Sequence, residues 1–521
     1  MKLFLTLALF FTAFHFSFSQ NNLLVFFDDK GDNYVELSQR SKDRRAKNNA
    51  QLDERDKEIK FEYLEQISIN GTVKTTSRWL NAAHYETTLT PEELQALYPF
   101  IKAITPISQT ASTIIKRIDF EEEDAFTRTP DYGVVNGQIS QIGVDCMHSS
   151  DFKGEGVYVA VIDAGFRGMD TLSYFSTAYA EGRVLDTFNF IHDSSVYKYS
   201  GHGTAVSSCI IGEKADPLSY YGTAYDASVA LYVTEDVSSE TLVEEFNLVA
   251  ALERCDVQGV DVANISLGYS HFDDPAEDHA FEDLDGETTI AAIGVNTAAT
   301  KGIIVVTSAG NSGPDPISTP CDADSCLCVG AVNEAGLYAP FSSVGFSADG
   351  QVKPDVVATG WKTWVIVEWG GRVRGNGTSF SSPLTAGAVA CLVQAHPTTP
   401  AMDIISAIQE SGAIYDSPSV AIGYGLPNFC EADKILGGTA AIESNATNSL
   451  YFYPNPAQTE LRISGLEFGT NYVLNLFNQV GQLTLSMNIT NNSPINISGL
   501  ENGLYYAQVN GVFADKILIR K

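Results

Sequence analysis

Three short segments carry residues that together do chemistry none of them does alone. Val161-Ile162-Asp163-Ala164-Gly165 offers a carboxylate, Gly201-His202-Gly203-Thr204 an imidazole, and Gly377-Thr378-Ser379-Phe380-Ser381-Ser382-Pro383 a hydroxyl. A serine hydroxyl is a weak nucleophile until a neighbouring imidazole takes its proton. The imidazole needs a carboxylate to fix its tautomer and stabilise its charged form. Asp, His, Ser is one of the chain orders in which this triad is assembled. A fourth segment, Ser308-Ala309-Gly310-Asn311-Ser312-Gly313, presents the Asn311 amide, which with the Ser379 N–H would hold the oxyanion of a tetrahedral intermediate. The spacing therefore predicts a catalytic triad of Asp163, His202 and Ser379. His148, His192, His271, His279 and His396 lack the glycine frame that lets other segments approach His202.

The elements around these residues fit the task. Asp163 follows the apolar run Val157–Ile162, and the carboxyl ends of parallel strands are where sites form in open sheets. His202 and Ser379 each open a helical pattern, where free N–H groups and the helix dipole favour negative charge. From 133 to 436, strands (Val157–Ile162, Val229–Val233, Val260–Ser266, Ile303–Thr307, Leu327–Val332) alternate with helices (His202–Ile211, Thr241–Arg254, Thr288–Thr300, Ser379–Ala395). That alternation predicts a mostly parallel sheet with helices on both faces, a three-layer α/β/α domain.

Residues 1–19 read as a signal peptide: Lys2, an apolar stretch too short for a membrane span, then small residues before Gln20. Residues 20–125 form a first unit. Leu23–Phe27 reads as a strand, the charged stretch Glu36–Arg55 as a helix, and Lys60–Ile69 and Arg78–Leu89 as strands about an Asn70-Gly71 turn. Thr90-Pro91 starts a further helix and Ile101–Ile107 is a last strand. The order βαββαβ predicts a ferredoxin-like α+β domain. Ser108–Tyr132 reads as an exposed, cleavable linker, and residues 437–447 as a second linker. Residues 448–521 read as a small all-β sandwich.

The chain has 521 residues, 44% apolar and 18% charged, with net charge −32. Such acidity repels phosphates and argues against nucleic-acid binding. No later stretch is long and apolar enough to span a membrane. Asp283-Leu284-Asp285-Gly286 matches only the start of a calcium loop, so a solvated acidic loop competes there with structural calcium near Asp283 and Asp285. Of eight cysteines, Cys209 and Cys391 read as buried thiols. Cys321 and Cys326 enclose a loop that a bridge would close, with Cys328 a rival partner. Trp361, Trp364 and Trp369 precede the nucleophile, either as packing or as cleft lining.

At these motifs the chain resembles the subtilisin-like serine proteases. The match takes in Asp163, Gly201–Thr204, Ser266-Leu267-Gly268, Ser308–Asn311, Phe341–Gly345, Lys353–Val356 and Gly377–Pro383; Ala164, Phe166 and Ser381 depart from the family's pattern without removing a reacting group. The resemblance implies endopeptidase activity, no cofactor in catalysis, and protein or peptide substrates held antiparallel along Ser266–Gly268. It also implies a pocket lined by Ser266–Gly268, Ser308, Ala309, Gly310 and Ile317–Thr319 for an apolar or uncharged side chain. The first unit resembles the subtilase propeptide, implying that it templates folding and covers the cleft until cut away. Tyr453-Pro454-Asn455-Pro456, Gly499–Tyr505 and the basic end Lys516–Lys521 resemble the sorting domain of type IX secretion cargo. That implies a secreted or cell-surface protein of a Gram-negative, Bacteroidetes-like bacterium, with the secretion machinery as partner. The alternative is a catalytically inactive surface-binding protein on the same scaffold.

Overall fold

The computed structural model describes residues 20–108, 120–121, 132–191, 194–215 and 219–438, then 451–453, 455, 457–464, 472–478, 482–490, 494–509 and 512–521. The expected leader, most of both linkers, and His192 lie outside the described residues. The chain forms two compact units, Met1–Ala440 and Ala441–Lys521.

The first unit opens with a four-stranded antiparallel sheet. Its strands are β1 (Asn21–Phe27), β2 (Gly71–Ser77), β3 (Ala82–Thr87) and β4 (Ile101–Ile107), in the order β2-β3-β1-β4. Helices α1 (Gln39–Lys47), α2 (Phe61–Ile67) and α3 (Pro91–Leu97) complete it. The βαββαβ order holds once α1 and α2 are counted as one crossover. Thr90 and Glu93 close a reciprocal capping box on α3 behind Pro91, as the local sequence predicts.

Two expectations fail here. Lys60–Ile69 is not a strand. Phe61, Leu64 and Ile67 recur at helical spacing, and Tyr63, Leu64 and Ile67 turn one face to the core while Phe61 stays exposed. The Asn70-Gly71 pair therefore ends a helix, and the hairpin turn falls at Arg78–Asn81. The Glu36–Arg55 helix is also shorter. Ser38 caps it by accepting from Ser41 N–H, and it ends at Asn48 before Asn49 takes a φ of 54°.

Seven parallel strands form the main sheet: β5 (Tyr158–Asp163), β6 (Val184–Asn189), β7 (Ser228–Val233), β8 (Val262–Ile265), β9 (Ile304–Ser308), β10 (Cys326–Val332) and β11 (Val356–Thr359). Their order is β11-β10-β9-β8-β5-β7-β6. All six residues of β5 are buried. A strand covered on both faces reads as a continuous apolar run. Its side chains alternate between two cores. Val159 and Val161 join the cluster packed by α4 (His202–Ile211) and α7 (Thr378–Ala395). Tyr158, Ala160 and Ile162 join the one packed by α5 (Leu242–Gln258) and α6 (Ile290–Thr300). The edge strand β6 and the short β11 were not legible: β6 buries little, and its Val-Leu-Asp-Thr-Phe-Asn reads as mixed.

The charged helix α1 is no solvated face. Arg44 and Arg45 are buried against Asp256 of α5, at 2.6 Å and 2.5 Å. Arg45 also pairs with Asp56, Arg78 with Glu253, and Lys301 with Asp56 and Asp53. This network ties the N-terminal sheet domain to α5 and α6. Burial pushes the Glu253 carboxyl above its usual range despite Arg78 beside it.

Cysteines 146 and 430 are bridged, a pairing with no local sequence signal. Of the two partners left open for Cys321, Cys328 is the one that pairs with it. Cys326 stays a buried thiol, as do Cys209 and Cys391. Trp364 packs in the hairpin β12 (Thr363–Ile366) and β13 (Arg372–Gly375), under the Arg374 guanidinium; Trp369 sits exposed at its turn.

His148 is buried between Tyr132 Oη and the Thr223 carbonyl, each at 3.0 Å. Burial pushes its pKa down to about 4, and that of His84 likewise. The unfolded chain takes up these protons near pH 6.5 and the folded chain only near pH 4, so stability falls as pH drops through that window. Each contributes on the order of 3 kcal/mol when the window is fully crossed. The thermal midpoint of the full-length protein is expected to fall between pH 6.5 and 4, and to fall less steeply in His148→Gln.

The second unit is all-β, with a three-stranded sheet (Tyr451–Tyr453, Glu460–Ser464, Ile495–Asn496) and a four-stranded antiparallel sheet (Tyr472–Phe477, Leu483–Ile489, Gly503–Val509, Val512–Ile519). Leu461, Ile463, Leu474, Leu476 and Ile517 fill one core between them.

Candidate active site

Asp163 ends β5 fully buried, and its two oxygens lie 2.8 and 2.9 Å from Nδ1 of His202. The Ala164 N–H donates to Oδ1 at 2.7 Å and fixes the carboxylate from its own chain. His202 opens α4 with its side chain 16% exposed. The loops carrying the two residues are stitched together. Arg167 N–H donates to Ser200 O and Gly203 N–H to Gly165 O, each at 2.9 Å. Gly165 has a φ of 148°, and a Cβ there would lie 2.8 Å from Ser200 O, so the glycine of the Asp segment is what admits the His loop.

Ser379 follows Gly377 at the start of α7 and is half-buried. The next residue, Phe380, has its ring 6.2 Å from the His202 ring, which places nucleophile segment and imidazole side by side. Pro383 has no N–H, so the Ser379 carbonyl four residues earlier has no partner in the helix. It accepts instead from Ser266 Oγ at 3.0 Å. Asn264 Nδ2 donates to the same Ser266 Oγ at 3.0 Å, and Ser382 Oγ donates to Asn264 Oδ1 at 2.8 Å. A buried chain of hydrogen bonds thus fastens α7 to the end of β8. Asn264 was missed by sequence reasoning; a lone amide inside the apolar run Val262-Ala263-Asn264-Ile265 was the available signal.

Asn311 stands exposed after β9. Its Oδ1 accepts from Thr378 N–H at 2.8 Å and Thr378 Oγ1 at 3.1 Å. With the carbonyl oxygen occupied, Nδ2 is the end of the amide left to donate. Gly377, with a φ of 155°, passes this amide so closely that its Cβ would lie 3.8 Å from both side-chain atoms.

The remaining expected residues converge beside the nucleophile. Ser308 Oγ donates to Leu267 O at 3.3 Å. A Cβ on Gly268 or Gly310 would meet Ser318 Oγ at 2.2 or 3.1 Å, so the two glycines and Ser318 share one small space with Ala309 behind it. Among the described residues, the buried Ser318 hydroxyl has no hydrogen-bond partner. Asp283 and Asp285 do not gather there or into a calcium set. Asp283 accepts from Ala280 N–H, and Asp285 accepts from the N–H groups of Glu287 and Thr288 and from the Thr288 hydroxyl. Among the described residues, neither belongs to a group of metal-ligating side chains close enough together to hold an ion.

Residues 154–425 match the subtilase family. The chain belongs to that family. Residues 22–122 match a peptidase S8 propeptide domain of Bacteroidota, and residues 451–520 a secretion system C-terminal sorting domain. The subtilisin of Bacillus pumilus is 30% identical over 296 residues, which cover 56% of this chain and 95% of that one. Subtilisin NAT of Bacillus subtilis subsp. natto is 29% identical over 317 residues, 60% of this chain and 74% of its own. The alkaline protease of Shouchella clausii is 26% identical over 374 residues, 72% of this chain and 88% of its own. This subtilase is a serine-type endopeptidase, secreted or carried at the cell surface, with a propeptide and a sorting tail. No described helix is long and apolar enough to cross a membrane.

Proposed function

We propose that this subtilase hydrolyses peptide bonds of proteins through Asp163, His202 and Ser379 by way of an acyl-enzyme. The observation that carries the reading is the buried Asp163 carboxylate set on Nδ1 of His202. That contact fixes the tautomer whose Nε2 is the basic nitrogen. Nε2 takes the Ser379 proton as Oγ attacks the substrate carbonyl, then returns it to the leaving amine. Water repeats the sequence on the acyl-enzyme, and Ser379 is regenerated. Catalysis in this family needs no cofactor. Asn311 Nδ2 and the Ser379 N–H receive the oxyanion. The substrate lies antiparallel along Ser266–Gly268, with the residue before the scissile bond in the space between Gly268, Ser308–Gly310 and Ser318. That space holds no charged side chain among its named walls, which supports an uncharged preference.

The chain is made as a preproenzyme. Residues 1–19 direct export, 20–125 cover the peptidase domain 133–436, and 448–521 after the linker 437–447 engage the type IX machinery. Cleavage in the region 108–132 activates the enzyme. Two points in that region are held: at its start Ser108 N–H donates to Glu277, and midway Phe120-Glu121 pairs with Gly375-Arg374 of β13, four residues before the nucleophile. The test is digestion of a peptide library by purified mature protein, with its N-terminus sequenced. Cleavage and a new N-terminus within 108–132 are expected. A fully active protein starting at Gln20 would overturn the zymogen reading, and an inert mature protein the enzyme reading.

Removal of the oxyanion amide gives a second expected result. Asn311→Ala lowers kcat by about 10²–10³, the scale known for the corresponding donor in a subtilisin, with KM little changed. An unchanged kcat would exclude Asn311 from the oxyanion site.

A further inference from the structure

The Asp163 and His202 loops are stitched to each other, and the nucleophile is fastened to β8, so the two halves must also be held in register. The hairpin β12–β13 reaches both. β13 ends at Gly375, four residues before Ser379, and Ile366 N–H of β12 donates to Ser208 Oγ of α4 at 3.0 Å. At the hairpin's turn Glu368 meets Arg167 in a two-pronged ion pair. Arg167 Nε donates to Glu368 Oε2 at 2.6 Å, and Nη2 donates to Oε1. Arg167 stands four residues after Asp163. Its N–H is already on Ser200 O, and its carbonyl accepts from Thr204 Oγ1 at 2.9 Å. The hairpin backbone closes on the same loop: a Cβ on Gly168 would lie 2.5 Å from Glu368 O. The Glu368 side chain also covers the residue before His202, since a Cβ on Gly201 would lie 2.8 Å from both Cβ and Cδ of Glu368. Gly201 begins α4 and has no side chain to cap it. A carboxylate is favoured near such an end, where free N–H groups leave partial positive charge.

We infer that Arg167 and Glu368 are positioning residues for the proposed reaction: the pair holds the Asp163 and His202 loops against the hairpin that leads into Ser379, and so sets the distance over which the imidazole takes the serine proton. The inference rests on the triad proposed above. Neither side chain is given a reacting role. Gly165, Gly168, Gly201 and Gly203 flank the acid and the base, so the backbone there is freer than most and gains from an outside brace. An arginine fork on a carboxylate fixes geometry as well as charge. A lysine supplies the charge without the fork. A misplacement of about 1 Å in a reacting group can cost on the order of 100-fold in rate. The side chains are 54% and 22% exposed, and an ion pair so open to water adds little to global stability. The effect of the pair therefore belongs to turnover rather than to folding.

The test compares the activated parent with Glu368→Gln, Arg167→Ala, Arg167→Lys and the double variant Arg167→Ala/Glu368→Gln. Each is assayed with an internally quenched peptide, with a small fluorophosphonate and by thermal melting. Glu368→Gln and Arg167→Ala are each expected to lower kcat by about 10-fold with KM little changed, and to slow Ser379 labelling by the same factor. The thermal midpoint should hardly move. Arg167→Lys should recover part of the loss, and the double variant should be no worse than either single one, because the two side chains act as a pair. A raised KM at unchanged kcat would make these side chains substrate contacts and overturn the inference. A lowered thermal midpoint at unchanged kcat would make the pair a structural brace only, and would overturn it too. If Glu368→Gln does not fold, the Arg167 variants decide by the same criteria. An active parent matched by its variants overturns the positioning role and leaves the protease reading standing; a parent inert to both peptide and fluorophosphonate overturns both.

Discussion

Ser379→Ala lowers kcat for peptide hydrolysis by roughly 10⁶, the scale set by the same substitution in a subtilisin. The fold is expected to survive. The Ser379 hydroxyl donates only a long 3.5 Å bond to the Ser266 carbonyl, so its loss changes stability by about 0.5 kcal/mol or less. His202→Ala should cost a similar factor, and the double variant little more, because the two act as a unit. Losses that multiply in the double variant would show the residues working independently, and the proposed proton transfer between them would be wrong. A second consequence concerns the first unit: Ser379→Ala should accumulate with residues 20–125 still attached, as one band on a denaturing gel.

That uncut protein is the right background for the largest expected effect on stability. Asp256→Ala removes the one carboxylate that faces both Arg44 and Arg45 in a buried interface. Arg44 has 1% of its side chain exposed and Asp256 none. Removing one partner strands the other's charge away from water, which typically costs about 3–5 kcal/mol. Asp56 still faces Arg45, but Arg44 keeps only carbonyl and hydroxyl partners. The exposed pair Lys434–Glu431 is the control, and breaking it should cost less than about 1 kcal/mol. Urea titration of the Ser379→Ala chain reads both. An Asp256→Ala midpoint no lower than that of Lys434→Ala would mean that the network is not what holds the N-terminal domain to α5. The same contacts grip the propeptide once the chain is cut. Arg44→Ala should therefore weaken the separated propeptide as an inhibitor.

The parts of this molecule that the sequence announced share a physical cause. β5, β8 and β9 are buried on both faces, so they read as mainly apolar runs, and the polar residues that interrupt or end them had to be there for another reason. Asp163 and Asn311, at or just past the strands' carboxyl ends, stand out on that ground, Ser379 stands out by its place behind Gly377-Thr378 at a helix start, and Gly165 marks where two segments must pass closely. The illegible parts depend on partners distant in the chain. Phe61–Ile67 became a helix because a core made by β1 and β3 received one of its faces, and a short apolar stretch does not say which period it follows. Arg44 and Arg45 read only as part of a charged helical stretch, because Asp256, which meets them, lies more than two hundred residues later. Cys146 and Cys430 are likewise joined only by the fold. Asn264, Ser266 and Ser382 form the support behind the nucleophile, yet each alone is an ordinary polar residue. Pro383 carried a usable signal that went unread: a proline one turn into a helix frees the carbonyl of Ser379 itself.

The central claim is that Ser379 is made nucleophilic by the Asp163–His202 pair. Its most direct test is to treat activated protein with a fluorophosphonate, digest it, and locate the adduct by mass spectrometry. The account predicts one modified residue, Ser379, labelled fast in the parent and at a small fraction of that rate in His202→Ala. An adduct on another residue, no adduct, or equal labelling rates in the two proteins would contradict it.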